Sequence, residues 1–247
     1  MSLSANLYNN FHIITASFIF FQLIYSTSYA VLTRIYPSAQ HWKPHTIFNW
    51  KVHCVSFAHA IIAVFFSLSN FNDAALAENP LFGYSSSCAV AMSVSFGYFI
   101  WDSAICIKSI KSNGIGFVLH GLFCAAIYGL SLTPFLMYFG IRFLIFELST
   151  IFLNLHWFMD KLNVKSPVLN AANSIALLFS FFGARIVFGL YESSVYYRAV
   201  FANFDKFPFW AFILFSSSNV TLTGLNFLWF YKLTRAAYRK IMKVSQD

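Results

Sequence analysis

Seven stretches of this chain run for about 18 residues or more with almost no charge, and a run of that kind admits one regular structure in hydrocarbon, a helix that satisfies its own backbone. They are Phe11–Thr33, Val52–Phe71, Tyr84–Ile107, Ile115–Leu132, Pro134–Phe158, Val168–Tyr191 and Phe207–Tyr231. Only 10% of the 247 residues are charged and 21% are aromatic. Soluble domains carry roughly 25% charge, and lipid tails solvate aromatic rings that water would not. The expected fold class is therefore all-α, a polytopic membrane protein of about seven transmembrane helices. The first ten residues hold no Lys or Arg, so the first span is expected to serve as its own signal.

The connections carry the breakers. Pro37 and Pro44 interrupt the first, where Trp42 and Trp50 read as interfacial aromatics; NDAALAENPLFG is a short acidic loop; Ser112, Asn113 and Gly114 make a turn; DKLNVKSP is a basic loop; ESSVYYRAVFANFDK reads as a mixed loop. Alternate connections differ in charge. Arg34, Lys43, Lys51, Lys108, Lys111, Lys161, Lys165, Lys232, Arg235, Arg239, Lys240 and Lys243 fall on one side, against Arg198 and Lys206 on the other. Basic loops stay cytosolic, so the N-terminus is expected to be lumenal and the C-terminus cytosolic. That distribution also accounts for the net charge of +8 without a nucleic-acid partner. Cys54, Cys88, Cys106 and Cys124 lie in or beside apolar spans without metal or redox spacing, and no metal or cofactor is expected. Asn219–Val220–Thr221 forms a glycosylation triplet, but it falls inside a span.

Ionisable groups inside hydrocarbon are costly, and here they cluster between Tyr98 and Lys161. Asp102, His120, Arg142, Glu147 and Asn154 all lie within apolar segments there. At a rise of about 1.5 Å per residue, Asp102, His120 and Asn154 share a level near the cytosolic end, with His59 and Glu147 deeper and Arg142 and Arg185 toward the far side. Such residues are candidates to line a cavity. His120 suits a general base or acyl relay, and equally an interhelical hydrogen bond to Asp102 or Asn154. Asp102 either orients that imidazole or pairs with Lys108. Glu147 needs a cation; Arg142, five residues earlier on the same helix, faces elsewhere, which favours pairing across helices. His59, Asn154, Asn173 and Arg185, with Asn170 and Asn226, are candidates to line a tunnel or to bond between helices.

Four segments resemble one known family: FNWKVHCVSFAHA, GYFIWDSAICI, VLHGLFCAAIYG and FELSTIFLNLHWFMDKL. They are similar to the TLC domain, shared by the translocating-chain-associating membrane protein, the longevity-assurance ceramide synthases and a neuronal ceroid lipofuscinosis protein, and lie closest to the branch related to transmembrane protein 56. The resemblance covers residues 45–240, leaving 1–44 as a first helix and loop and 241–247 as a tail. It implies a helical barrel around a central tunnel, a place in the endoplasmic reticulum and a role in lipid homeostasis. Where ceramide synthases carry paired histidines this chain has His120 and Gly121, and where they carry a histidine and two aspartates it reads Phe146, Glu147, Leu148, Ser149. One titratable group remains at each place.

Three functions are carried forward. A lipid or acyl chain sits in the intramembrane tunnel, with His59, Arg142, Asn154, Asn173 and Arg185 as contacts. Alternatively, His120, Asp102 and Glu147 catalyse acyl transfer from acyl-CoA. In the third, the protein is a structural or cargo-binding membrane component.

Overall fold

A computed structural model describes residues 3–244. No β-strand occurs among them. Helix α1 (Leu3–Ile35) leads through a 3-10 turn (Pro37–His41) to α2 (Pro44–Ser69), then α3 (Ala74–Glu78), α4 (Ser86–Lys108), α5 (Ile110–Asn113) and α6 (Ile115–Leu130). Next come α7 (Met137–Phe143), a 3-10 turn (Leu144–Phe146), α8 (Glu147–Lys161) and α9 (Pro167–Ser180), which runs through a π-helical segment (Phe181–Phe188) into α10 (Gly189–Ala202). Helix α11 (Phe209–Val244) is last. The tail expected at 241–247 is thus helical to Val244, and residues 245–247 lie outside the described residues.

Among the described residues, six helical stretches are long and apolar enough to cross a membrane: Tyr8–Ile35, Pro44–Ser69, Ser86–Lys108, Met137–Lys161, Pro167–Ala202 and Phe209–Arg239. The expected span Ile115–Leu132 departs from this. Its helix, α6, has 16 residues and measures about 24 Å, short of the hydrocarbon thickness. Turns and bends at 131–136 follow it. Leu136 N donates to Leu81 O at 2.9 Å, which brings the end of this pass beside the loop that precedes α4.

A second departure is the loop expected after Tyr191. The helix continues through Glu192 to Ala202, making a stretch of 36 residues. The reason is a buried stripe at helical spacing: Glu192, Tyr196 and Val200 all face inward, and Tyr196 and Val200 share a cluster with Phe139, Phe207 and Ala211. Packing held those turns helical against a polar-looking sequence.

Chain connections gather at two ends. At one, Phe82 and Phe135 both contact the Phe207 ring. At the other, Trp50 contacts Trp42 and Phe158. The main cluster packs Phe21, Val55, Met92, Tyr98, Phe99, Trp101 and Tyr128 between α1, α2, α4 and α6. Helix α1 docks on α4 through hydrogen bonds from Ser17 Oγ to Val94 O (2.7 Å) and from Trp101 Nε1 to Gln22 Oε1 (2.9 Å). Gly97 permits that approach, since a Cβ there would stand 2.6 Å from Ile14 O. Large apolar side chains such as Phe65, Phe179, Val187 and Phe209 point outward, the surface expected of a bundle in lipid.

Candidate functional site

A cavity lies between α6, α7, α8, α10 and α11. Phe99, Tyr128, Phe139, Phe143, Phe146, Phe215 and Leu222 form most of its wall. Polar atoms enter from His120 and Cys124 on α6, Glu147 at the start of α8, Arg185 on the π-helical segment, Ser193 on α10, and Asn219, Thr223 and Asn226 on α11. A largely apolar wall with a few convergent polar groups is the composition of a small-molecule pocket.

Arg185 organises the polar part. It is buried, and its Nε donates to Ser149 Oγ at 2.8 Å and to Phe146 O at 3.1 Å. Nη2 donates to Thr150 Oγ1 at 2.8 Å and to Glu147 Oε1 at 3.5 Å, and Nη1 to Asn226 Oδ1 at 3.3 Å. Its guanidinium also lies over the Phe181 ring, 5.3 Å from the centroid. The π-helical winding around Arg185 widens one turn of the helix, a distortion that recurs at functional sites. Glu147 is thus held by Arg185 across helices.

Arg142 finds a different partner. Its Nε lies 2.8 Å from Glu192 Oε1, Nη1 donates to Phe71 O at 3.2 Å, and its guanidinium sits 4.0 Å from the Phe71 ring centroid. Both arginines inside spans are neutralised by a carboxylate from another part of the chain, as hydrocarbon requires. Glu192 was legible only as a loop residue, and the one hint of it was that Arg142 otherwise had no acid to meet.

Of the residues singled out in the sequence as site candidates, the cavity receives His120, Glu147, Arg185 and Asn226. His120 presents its ring to Phe99 and Trp229 at 5.8 and 5.5 Å, and Cys124 Sγ lies 3.8 Å from its Nδ1. Among the described residues no hydrogen bond joins Asp102 to His120. Asp102 instead approaches Cys106 Sγ at 3.7 Å and stands against Gly121, where a Cβ would be 3.2 Å from Asp102 Oδ2 and 2.8 Å from Ser103 Oγ. The place of a second histidine is therefore filled by α4.

The remaining candidates lie elsewhere. His59 is sealed between helices, stacked on Tyr98 at 3.6 Å and edge-on to Phe21 and Phe99. Asn154 Oδ1 meets His53 Nδ1 at 2.7 Å, and its Nδ2 donates to Ser56 Oγ at 3.1 Å. Asn173 Nδ2 donates to Phe152 O at 3.0 Å. Arg142, Asn154 and Asn173 thus act as ties between helices and are not on the cavity wall. Conversely, Asn219, read in sequence only as a glycosylation triplet, lines the cavity and donates to Ser193 Oγ at 2.8 Å. Cys124, read as a small apolar residue, lines it too. No group of His, Cys, Asp and Glu among the described residues is arranged to hold a metal ion.

Comparison with known proteins places this architecture. The TLC domain pattern matches residues 49–235. An uncharacterized TLC domain-containing protein of Schizosaccharomyces pombe is 31% identical over 93% of this chain and 79% of its own length. Topoisomerase I damage affected protein 4 of Saccharomyces cerevisiae is 32% identical over 94% of this chain and 85% of its own. TLC domain-containing protein 4 of Homo sapiens is 29% identical, covering 94% and 90%. No solved structure matches the chain.

Proposed function

The chain belongs to the TLC domain family, and from that premise we propose that this multi-pass membrane protein holds a lipid or acyl chain in the cavity around Arg185 and thereby serves membrane lipid homeostasis in the endoplasmic reticulum. One observation carries the reading: an aromatic-walled cavity inside the bundle is lined by a preorganised cluster of Arg185, Glu147 and Asn226. The apolar wall suits a hydrocarbon chain. A polar headgroup or carbonyl would find Asn219, Asn226 and His120 within the same space. The basic connections facing the cytosol, with a lumenal N-terminus, give the orientation that accords with the charge bias.

The test is lipid analysis of the purified protein. Wild type and Thr223→Trp, which plugs the cavity from α11, are isolated in mild detergent and their bound lipids extracted and weighed by mass spectrometry. A specific lipid retained by wild type and lost several-fold by the plugged variant, at unchanged elution volume, is the expected result. Equal retention by both would end this reading.

Acyl transfer is the second reading, favoured by the position of His120 on the cavity wall. There the imidazole would take the proton of an acceptor hydroxyl or amine as it attacks the acyl-CoA carbonyl, with coenzyme A leaving as its thiol. Incubation with labelled acyl-CoA and a reticulum lipid extract separates the two. A labelled lipid made by wild type and not by His120→Gln establishes transfer, and no labelled product leaves binding alone.

A further inference from the structure

A second opening lies between the same two helical stretches that carry Arg185 and Asn226, but nearer the end of the bundle. It is a groove lined on one side by Asn163, Lys165, Asn170 and Leu178 and on the other by Leu233 and Ala237. One turn beyond Leu178 and Leu233, Phe230 contacts Phe181 at 5.8 Å and Phe182 at 5.6 Å. No residue lines both this groove and the internal cavity. What occupies it is a question independent of the cavity's occupant.

The two ends of the groove differ in chemistry. At the outer end, Lys165 has no carboxylate partner among the described residues. Asp160, the acid on the wall, is neutralised by Lys161 at 2.8 Å. Helix α9 starts here behind Ser166 and Pro167, so the positive end of its dipole adds to the field. Lys232, Arg235 and Arg239 stand on the neighbouring turns of α11. His156 also lines this end, and its Nδ1 is buried with no hydrogen-bond partner.

Further in, the wall turns apolar with Ile175, Leu177, Leu178 and Leu233. From Pro167 to Leu178 the groove runs about 16 Å at 1.5 Å per residue, close to half of a hydrocarbon layer about 30 Å thick. A cationic mouth followed by one leaflet's depth of apolar wall matches a leaflet lipid with a negative head.

We propose that this groove is a binding site for one anionic glycerophospholipid, its net negative head held at Lys165 and the start of α9 and its chains laid along Leu178 and Leu233. The experiment uses the full-length protein in phosphatidylcholine nanodiscs doped with a chain-diazirine probe, carrying either a phosphatidylserine or a phosphatidylcholine head. After photolysis, labelled peptides are mapped by mass spectrometry. The serine probe is expected to label residues 163–178 and 233–237 several-fold more than the choline probe. Lys165→Ala should remove that preference. Ala237→Trp, which fills the groove without changing charge, should abolish labelling there and leave labelling of outward faces such as Phe65 intact. Thr223→Trp, inside the other cavity, should change neither. Equal labelling by the two probes in wild type, or unchanged labelling in Ala237→Trp, would overturn the proposal, and the wild-type comparison stands even where a variant fails to fold.

Discussion

At the residue scale, Arg185 directs its guanidinium to Phe146, Glu147, Ser149, Thr150 and Asn226. Removing one member of a buried charge pair leaves the other without compensation, which costs about 3–5 kcal/mol, whereas an apolar pair of similar volume is often neutral. Arg185→Met is therefore expected to lower thermal stability in detergent sharply, followed by tryptophan fluorescence, while Arg185→Met combined with Glu147→Leu regains most of the loss. A single variant as stable as wild type would show that the pair is not what holds this junction. The need of Glu147 for a cation from another helix was legible, because five residues along one helix separate it from Arg142. The choice of Arg185 was not, since nothing local specifies which of two arginines meets which of two glutamates.

At the element scale, the contact of α4 with α6 depends on the missing side chain at Gly121. A Cβ there meets Ser103 Oγ at 2.8 Å, closer than atoms tolerate, and inserting volume into a packed contact costs typically 1–3 kcal/mol. Gly121→Ala is expected to lower the melting temperature, and adding Ser103→Ala, which withdraws the hydroxyl, should restore part of it. If Gly121→Ala alone is neutral, the close approach is not a constraint. The sequence displayed the single histidine followed by glycine without its reason. Apolar spans were readable because hydrocarbon demands long uncharged runs. Helix α10 was not, because Glu192 and Arg198 make it look like a loop until Arg142 supplies the counter-charge and Phe139 and Phe207 supply the packing.

At the scale of the whole molecule, the connections around 109–114 and 162–166 share one end of the bundle and the 70–85 loop lies at the other. Single cysteines introduced as Asn113→Cys and Asn163→Cys, in a background lacking the native cysteines, are expected to react with an impermeant maleimide added to sealed membrane vesicles whose cytosolic face is outermost, and Asn79→Cys only after those vesicles are permeabilised. Modification of residues 113 and 163 from opposite faces would break the seven-pass arrangement. What the sequence determined by itself was the solvent, the helical class and the charge bias between the two ends. Each follows from the transfer cost of backbone and charge into hydrocarbon, which is counted residue by residue along the chain. Only the tertiary structure decided which polar groups share a cavity. His120, Glu147, Arg185 and Asn219 come from four separate helical stretches, and their meeting depends on helix rotation and close packing, which no local pattern encodes.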